Sequence, residues 1–268
     1  MDTKKIFILV LLIIVLLIYN QVQISNFKTN KVSIESKKVN SEIKISQISD
    51  FHSNKNINIT KLVESITKYD PNFIVLTGDI IDSKTDDLSL AFALVDGISE
   101  VNKPIYFVEG NHEGLNSKRN EFLEGLVEKG VYVLDNKTTL LSIEGEKIRL
   151  IGLPFFAERD EFQKVLDKAS PSIYDIVLSH SPNRPISYLD GRIDLVLSGH
   201  THGGQIRLPI IGGLVAPGQG FFPKYDKGLM QLENGPLLYI DSGLGNSVLP
   251  IRFLNPVQIS EITINPLN

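Results

Sequence analysis

Short apolar runs of strand length alternate with helix-length amphipathic segments through most of this chain. The strand candidates are 43–49, 73–77, 105–108, 148–153, 175–179 and 194–198. Plausible helices lie between them, near 60–69, 87–101, 118–129 and 160–169. Strands that are apolar along their whole length are typical of sheets covered on both faces. Their alternation with helices predicts an α/β fold.

The composition restricts the chemistry that such a domain can carry. The chain has 268 residues, of which 42% are hydrophobic, and this is enough for one large domain with a substantial core. Its net charge is −4, and the sequence shows no basic stripe with interleaved aromatic residues, so it lacks the signature of a nucleic-acid-binding surface. Because there is no cysteine, any metal site must use nitrogen and oxygen ligands.

The N-terminus differs from the rest of the chain. Residues 6–19 are fourteen consecutive apolar or aromatic residues, preceded by two lysines. As a helix they span about 21 Å, and counting through Ile24 comes close to a full membrane span. A cleavable signal peptide is the alternative, but no small-x-small cleavage site follows the run. We therefore predict an uncleaved hydrophobic anchor over 1–24, a polar, lysine-rich tether over 25–42 and one domain over 43–268.

Residues of metal-ligand type follow five of the predicted strands, where each strand ends. In chain order they are Asp50 with His52, Asp79 with Asp82, Asn111 with His112 and Glu113, His180, and His200 with His202. Any one of these histidines can be an ordinary core or surface residue, but all five histidines of the chain lie at these places. Ligands of open α/β sheets gather outside the carboxyl ends of the strands, so the pattern predicts a metal site there.

The residue types suit a site with two cations. A carboxylate can bridge two ions, neutral imidazoles suit Zn, Fe or Mn, and carboxylate or amide oxygens suit Mn or Mg. Glycines at 78, 110 and 199 permit sharp turns that bring side chains close to the ions. Two metals about 3.5–4 Å apart can clamp an in-line displacement at phosphorus and generate hydroxide near neutral pH. The sequence thus predicts two divalent metal ions (Mn, Fe, Zn or Mg).

The motifs D-x-H, G-D-x-x-D, G-N-H-E, S-H and G-H-x-H follow one another in this order. Together they resemble the calcineurin-like metallophosphoesterase superfamily over roughly 43–262. The segment GHTHGGQIRLP and the later 243–256 are similar to a bacterial membrane-associated branch of the YkuE or YaeI type. The resemblance implies a two-sheet αββα sandwich of mixed β-sheets flanked by helices, with the site at one edge.

The resemblance also assigns roles to matching positions. It implies that Asp79 bridges two metals, with one further group of ligands on each side. These ligands are Asp50, His52 and His202 for the first metal and Asn111, His180 and His200 for the second. His112 is expected to stay off the metals and to assist the leaving group, with Glu113 orienting it. Asp82 is expected to support the site from outside the ligand set or to cap its loop, and an ordinary solvated carboxylate is nearly as good an interpretation.

These observations predict a dinuclear-metal hydrolase of phosphate esters, in which a metal-bridging hydroxide attacks phosphorus in line and His112 assists departure. The substrate is a phosphodiester or a phosphomonoester. An alternative is cleavage of the pyrophosphate in a lipid-linked sugar nucleotide of the UDP-diacylglucosamine type. A non-catalytic scaffold is disfavoured because every ligand position is filled. The H-E-x-x-H and G-x-S-x-G motifs of zinc proteases and serine hydrolases are absent.

The apolar segments also raise the question of where the domain works. Lysines flank the run 6–19 on both sides, so the positive-inside rule does not decide its orientation. Resemblance to exported relatives favours an extracytoplasmic domain on a single-pass anchor in the cell membrane, which suits a membrane-linked substrate. The apolar, glycine-rich segment 208–222 is predicted to be a packed β-hairpin, and a rim that touches lipid is the alternative.

Overall fold

The computed structural model describes residues 2–186, 188–189, 191–233, 235–246 and 249–267. The helices are α1 (Thr3–Ser25), α2 (Ile59–Tyr69), α3 (Ser89–Ser99), α4 (Asn111–Leu115), α5 (Arg119–Glu128), α6 (Arg159–Leu166) and α7 (Asn183–Ile186). The first strands are β1 (Lys28–Ser36), β2 (Ile43–Ile48), β3 (Phe73–Leu76), β4 (Ile105–Phe107), β5 (Tyr132–Val133), β6 (Thr138–Ile143), β7 (Glu146–Leu153) and β8 (Tyr174–Ser179). The others are β9 (Leu195–Ser198), β10 (Arg207–Leu208), β11 (Gly212–Gly213), β12 (Val215–Ala216), β13 (Gly220–Phe221), β14 (Gly228–Gln231), β15 (Leu237–Ile240) and β16 (Gln258–Pro266).

Two six-stranded mixed sheets form the centre of the molecule. The first sheet has the order β1-β16-β2-β3-β4-β5, and the second has the order β14-β15-β9-β8-β7-β6. One continuous apolar core lies between them, with Ile45 and Val75 from the first sheet and Leu150, Ile176 and Leu197 from the second. Because alternate residues of a strand point to opposite faces, the same strands also carry apolar side chains outward.

Helices cover both outer faces. On the first sheet, Leu62 of α2 and Leu94 of α3 pack with Ile74 and Leu76. On the second sheet, Phe162 of α6 packs with strand residues such as Val177. The α/β class and the αββα sandwich are therefore confirmed, and each predicted strand and helix lies within a few residues of its expected position.

The segment expected to be a polar tether is largely a strand. Lys28–Ser36 pairs in parallel with β16 at the edge of the first sheet, in a register from Lys28 opposite Gln258 to Ser36 opposite Pro266. Val32 and Ile34 point into the core, while the residues between them are polar and exposed. This is the alternation of an edge strand with one face buried. Residues 25–42 are thus not a free tether, because β16 gives their backbone a hydrogen-bonding partner.

Helix α1 is 23 residues long and projects almost entirely into solvent. By length and composition alone it could cross a membrane, although a signal sequence near the N-terminus would pass the same test. Its last turns are hydrogen-bonded to the domain. Asn20 Nδ2 donates to the carbonyl of Pro250, and the Val257 N–H donates to the carbonyl of Gln23.

The segment 208–222 forms two short hairpins instead of the single packed hairpin predicted. Strand β10 pairs with β11, and β12 pairs with β13, both antiparallel. Ile210, in the turn of the first hairpin, and Phe221, on β13 of the second, are exposed. Further along the chain, β14 and β15 form an antiparallel pair that continues the second sheet beyond β9.

Candidate metal centre

The polar residues predicted at the strand ends converge at one edge of the sandwich. The loops after β2, β3 and β4 come from the first sheet, and those after β8 and β9 come from the second. Three groups of side chains each place one ligand atom per residue within 4.8 Å of the others. The groups are Asp50, His52 and His202; His52, Asp79 and His112; and Asp79, His180 and His200. The predicted histidines and aspartates are therefore brought together.

Asp79 lies at the centre of this cluster. Its Oδ2 is 3.0 Å from Nε2 of His180, 3.7 Å from Nε2 of His52 and 4.0 Å from Nε2 of His112. Its Oδ1 accepts the backbone N–H of His112 at 2.8 Å. One carboxylate thus faces imidazoles from both sheets, which is the position that a bridging ligand requires.

Other residues predicted to bind metal lie on either side of Asp79. Nε2 of His202 is 3.5 Å from Oδ1 of Asp50, and the rings of His52 and His202 lie 5.1 Å apart. On the other side, Nδ1 of His200 is 3.1 Å from Nε2 of His180. Two sets of donors therefore flank one shared carboxylate.

Several donor atoms in the cluster are buried without a hydrogen-bond partner among the described residues. They are Nδ1 and Nε2 of His52, Nδ1 of His202 and Oδ1 of Asn111. Each such atom costs roughly 1–3 kcal/mol if nothing binds it. Imidazole nitrogens and amide or carboxylate oxygens are ligands for Zn, Fe and Mn. The residues present thus fit divalent metal ions, and the unpartnered atoms are where coordination bonds would form.

The pKa values of the imidazoles in the cluster are shifted in opposite directions, and those of His200 and His202 favour the neutral form that a metal ligand needs. Burial lowers the pKa of His200 to about 3 and lowers the pKa of His202 as well, so both are held neutral, as metal ligands must be. Burial disfavours charge on His180, but the adjacent Asp79 outweighs it and raises the pKa of His180 to about 10. Burial likewise opposes ionisation of Asp79, and His180 nevertheless lowers its pKa.

Unusual backbone geometry aims the ligands inward. Asp50, His52, Asp79, His200 and His202 all have φ between 47° and 70°. Non-glycine residues adopt this left-handed region only uncommonly, and they do so where the surroundings enforce it. The glycine at 110 is required for a different reason, because a Cβ there would lie 2.2 Å from Oδ1 of Asp79.

The side-chain contacts of Glu113 are with the backbone around Asp79. Its carboxylate is fully buried and accepts backbone N–H groups from Asp79 at 2.8 Å, from Ile80 at 2.6 Å and from Gly110 at 2.9 Å. Burial raises the pKa of Glu113 to about 8, and the amide donors, which favour the charged form, oppose that rise. Glu113 therefore holds together the loops that carry Asp79 and Asn111.

The residue that faces His112 from outside the cluster is Asp82. Oδ2 of Asp82 lies 3.2 Å from Nδ1 of His112 and 3.7 Å from Nδ1 of His52. The His52 ring 3.7 Å away lowers the pKa of Asp82, so this carboxylate is ionised. The backbone N–H of Ser83 also donates to Nδ1 of His112 at 3.1 Å. Of the two interpretations considered for Asp82, the supporting position beside the site is the one observed.

Three contacts at the site were not anticipated from the sequence. The carbonyl of Thr77 lies 2.7 Å from Nδ1 of His180, and Ser49 Oγ donates to Asp50 at 2.5 Å. The ring of Phe155 packs 5.3 Å from that of His200, with the Arg184 guanidinium 5.0 Å above it. The sequence signal for Phe155 was its place two residues after β7, a strand that ends at the same edge.

The chain is similar in sequence and in fold to known proteins. The family model described as calcineurin-like phosphoesterase matches residues 43–204. The chain is 31% identical over 232 residues to a Bacillus subtilis protein named uncharacterized metallophosphoesterase YkuE, covering 84% of this chain and 80% of that one. It is 29% identical to a Bos taurus transmembrane protein with metallophosphoesterase domain, covering 83% of this chain and 53% of the longer bovine one. A dimetal phosphatase structure from Danio rerio superposes with TM-score 0.51 at 12% identity, covering 78% and 89% of the two chains.

Proposed function

The chain belongs to the calcineurin-like phosphoesterase family of metal-dependent hydrolases, and on that premise we propose that it hydrolyses phosphate esters at a centre of two divalent cations. The observation that carries the proposal is the place of Asp79, whose one carboxylate oxygen faces His52 and His180 at 3.7 Å and 3.0 Å. The residues that would hold the cations are Asp50, His52, Asp79, Asn111, His180, His200 and His202.

When bound, two such cations polarise the phosphate oxygens and lower the pKa of water. The donor set contains imidazole nitrogens, carboxylates and one amide oxygen, a mixture that accepts Mn, Fe, Zn or Mg. The chain's part is to hold these ligands close together in a buried pocket. Glu113 serves this purpose by fixing the backbone on both sides of Asp79.

His112 is placed to handle the proton of the leaving group. In its neutral form Nδ1 accepts the Ser83 N–H, which leaves the ring proton on Nε2, the nitrogen that faces Asp79. Hydrolysis breaks one P–O bond to the leaving alcohol and forms one P–O bond to an oxygen from water. To act as the acid, the ring first takes up a second proton on Nδ1, where Asp82 stabilises the charged form; Nε2–H then passes its proton to the alcohol and the ring returns to neutral.

The apolar α1 is proposed to be a membrane anchor with the domain on the extracytoplasmic side. The length and composition of this helix support an anchor, and a bovine relative carries the word transmembrane in its name. The full chain should then fractionate with membranes and resist extraction by high salt. Protease added to cells with a permeable outer envelope should degrade the domain, and survival of the domain would reverse the orientation.

The proposed activity is tested with the full chain in detergent, stripped of metal by a chelator. Mn, Fe, Zn and Mg are then added back one at a time, with 4-nitrophenyl phosphate and bis(4-nitrophenyl) phosphate as substrates. Release of nitrophenol should require a metal and should reach its maximum at two ions per chain. Hydrolysis without metal, or no hydrolysis with any of the four ions, would contradict the proposal.

A further inference from the structure

An exposed apolar surface lies beside the metal centre, on the face from which α1 projects. We call it the apolar rim, and it consists of Ile210, Ile211, Phe221, Phe222, Ile251 and Leu254. Phe221 is 79% exposed and Ile210 is fully exposed. Contiguous apolar patches on a protein surface mark contacts with lipid or with another macromolecule.

Backbone hydrogen bonds join the segments of the rim into one surface. Ile206 forms a parallel bridge with Phe253, the Leu214 N–H donates to Ile206, and the Phe222 N–H donates to Leu214. The hairpins and the segment 249–254 are thus adjacent strands of one surface. Several of their polar backbone groups are paired with each other, which lowers the cost of contact with lipid.

The last turns of α1 are fixed to this same surface. The Tyr19 ring packs 5.5 Å from the Phe253 ring, and the Tyr19 hydroxyl accepts the Leu254 N–H at 3.2 Å. Oε1 of Gln23 accepts the Asn255 N–H at 3.0 Å. Together with the contacts of Asn20, these bonds connect the helix end to the rim at several points. A membrane-spanning α1 would therefore set the orientation of the whole domain.

A groove of about 380 Å³ separates the helix from the rim, and its lining is almost entirely apolar. Ile13, Leu16 and Leu17 line one side, and Ile206 and Ile251 line the other. Ile13 precedes Asn20 by seven residues, which is about 10 Å along the helix axis. Ile13 lies in the middle of the apolar run 6–19. The groove wall that faces it would therefore lie at the same depth in the membrane as the middle of that run.

The groove wall and the metal centre share one loop. The Gln205 N–H donates to the carbonyl of His202, and the Phe253 N–H donates to the carbonyl of Gln205. Asn255 Nδ2 donates to the same His202 carbonyl at 2.7 Å. An apolar chain held between α1 and Ile251 would therefore lie within a few residues of the metal ligand His202.

We propose that the apolar rim rests in the lipid interface and that the groove beside α1 takes an acyl chain, so that the metal centre acts on a phosphate ester carried by a membrane lipid. This inference rests on the proposed phosphoesterase function and names the class of its substrate. The bilayer is favoured over a protein partner because the rim lies beside the end of the one helix, among the described residues, that could cross a membrane.

The position of the rim can be measured without any assay of activity. The chain contains no tryptophan, so Phe222→Trp and Phe253→Trp each introduce a single fluorescent reporter, and Tyr132→Trp on β5 is the matched control. The full chain is placed in nanodiscs of phosphatidylethanolamine and phosphatidylglycerol. Brominated lipid should quench the reporters at 222 and 253 and leave the one at 132 bright. Equal quenching at all three positions, or none at 222 and 253, would overturn the rim's place at the membrane. If brominated lipid leaves the reporters at 222 and 253 bright and a second copy of the chain quenches them, the surface is a contact between two chains.

The groove is tested with hexadecyl and ethyl 4-nitrophenyl phosphate, which share a leaving group and differ in chain length. The full chain in the same nanodiscs should favour the hexadecyl ester in kcat/KM by roughly 10- to 100-fold, the range that burial of two to four methylenes supports. Ile251→Asn should bring this ratio down toward one, whereas Leu140→Asn on β6, also an exposed apolar position, should preserve it.

The outcomes separate the two proposals. If neither ester nor 4-nitrophenyl phosphate is cleaved, the phosphoesterase proposal fails, and the tryptophan measurement still decides the place of the rim. If both esters are cleaved and Ile251→Asn leaves the ratio unchanged, the groove does not bind the chain and the inference is wrong. A lower ratio in Ile251→Asn with unchanged metal content supports it.

Discussion

The first sheet supplies both carboxylates of the proposed metal centre, whereas the second sheet supplies only imidazoles. The ligand residues of each sheet are oriented by hydrogen bonds to the other sheet. The carboxylate of Asp50 accepts the N–H of His200 from the second sheet at 3.0 Å, and the ring of His180 lies 2.7 Å from the carbonyl of Thr77 in the first. The difference shows that neither sheet holds a complete site. The ligands take up their geometry only when the two sheets pack.

Replacing the shared carboxylate should have the largest effect. In Asp79→Ala both sets of ligands lose their common oxygen, so we expect activity to be abolished and bound metal to fall below two ions per chain. Elemental analysis and nitrophenol release measure both results. Asp160→Ala, an exposed position at the start of α6, is the control. Full activity of Asp79→Ala with two ions bound would end the interpretation of Asp79 as the bridge.

The variant His112→Ala tests whether a residue from the first sheet takes part in the reaction without binding metal. We expect His112→Ala to lower turnover by roughly 10²–10⁴-fold through loss of proton donation, with metal content unchanged. The loss should be smaller for nitrophenyl esters than for alkyl esters, because nitrophenolate leaves without a proton. A metal ion missing from His112→Ala would show that this histidine is a ligand.

Asp241, directly after β15, forms another hydrogen-bonded contact between the two sheets. Its Oδ2 accepts from Nε2 of Gln258 on β16 at 3.0 Å, and Ser260 donates to it as well. Burial raises the pKa of Asp241 from 3.8 to about 6, so the folded state binds the proton more tightly than the unfolded state does. This contribution to stability is complete below about pH 4 and is lost as the pH rises through about 6, a change of roughly 3 kcal/mol.

The variant Asp241→Asn should therefore change stability less between pH 4 and pH 8 than the natural chain does. Urea unfolding of the full chain in detergent at several pH values measures the free energy of unfolding of both proteins. Parallel curves for the two proteins across this range would show that Asp241 does not titrate as its burial predicts.

Asp82 is expected to give the smallest effect, because it touches the cluster only through two imidazoles. Removing an outer partner of this kind costs about 10- to 100-fold, and Asp82→Asn should lower kcat by that amount while both metal ions stay bound. Asp86→Asn, an exposed acid in the same loop, should behave like the natural chain. If Asp82→Asn and Asp86→Asn had equal kcat values, Asp82 would not assist His112.

Much of the architecture could be predicted from local pattern. The apolar runs at 73–77, 175–179 and 194–198 are buried strands in the structure because a sheet covered on both faces needs apolar side chains on both. The histidines converge because the strands that precede them end at one edge. The order of the motifs alone led to the family. These features depend on sequence over short distances, so one sequence sufficed to predict them.

Only the tertiary structure decided the features that depend on partners far away in the chain. Lys28–Ser36 looks like a polar tether until β16, more than two hundred residues later, pairs with it. Glu113 follows His112 in sequence, yet its carboxylate turns to the amides around Asp79, 34 residues earlier. The end of α1 docks beside the metal loop through Asn20, Gln23 and the segment 250–257. Local propensity contains no information about these contacts, because hydrogen bonds between distant segments form only when the packed sheets bring their donors and acceptors together.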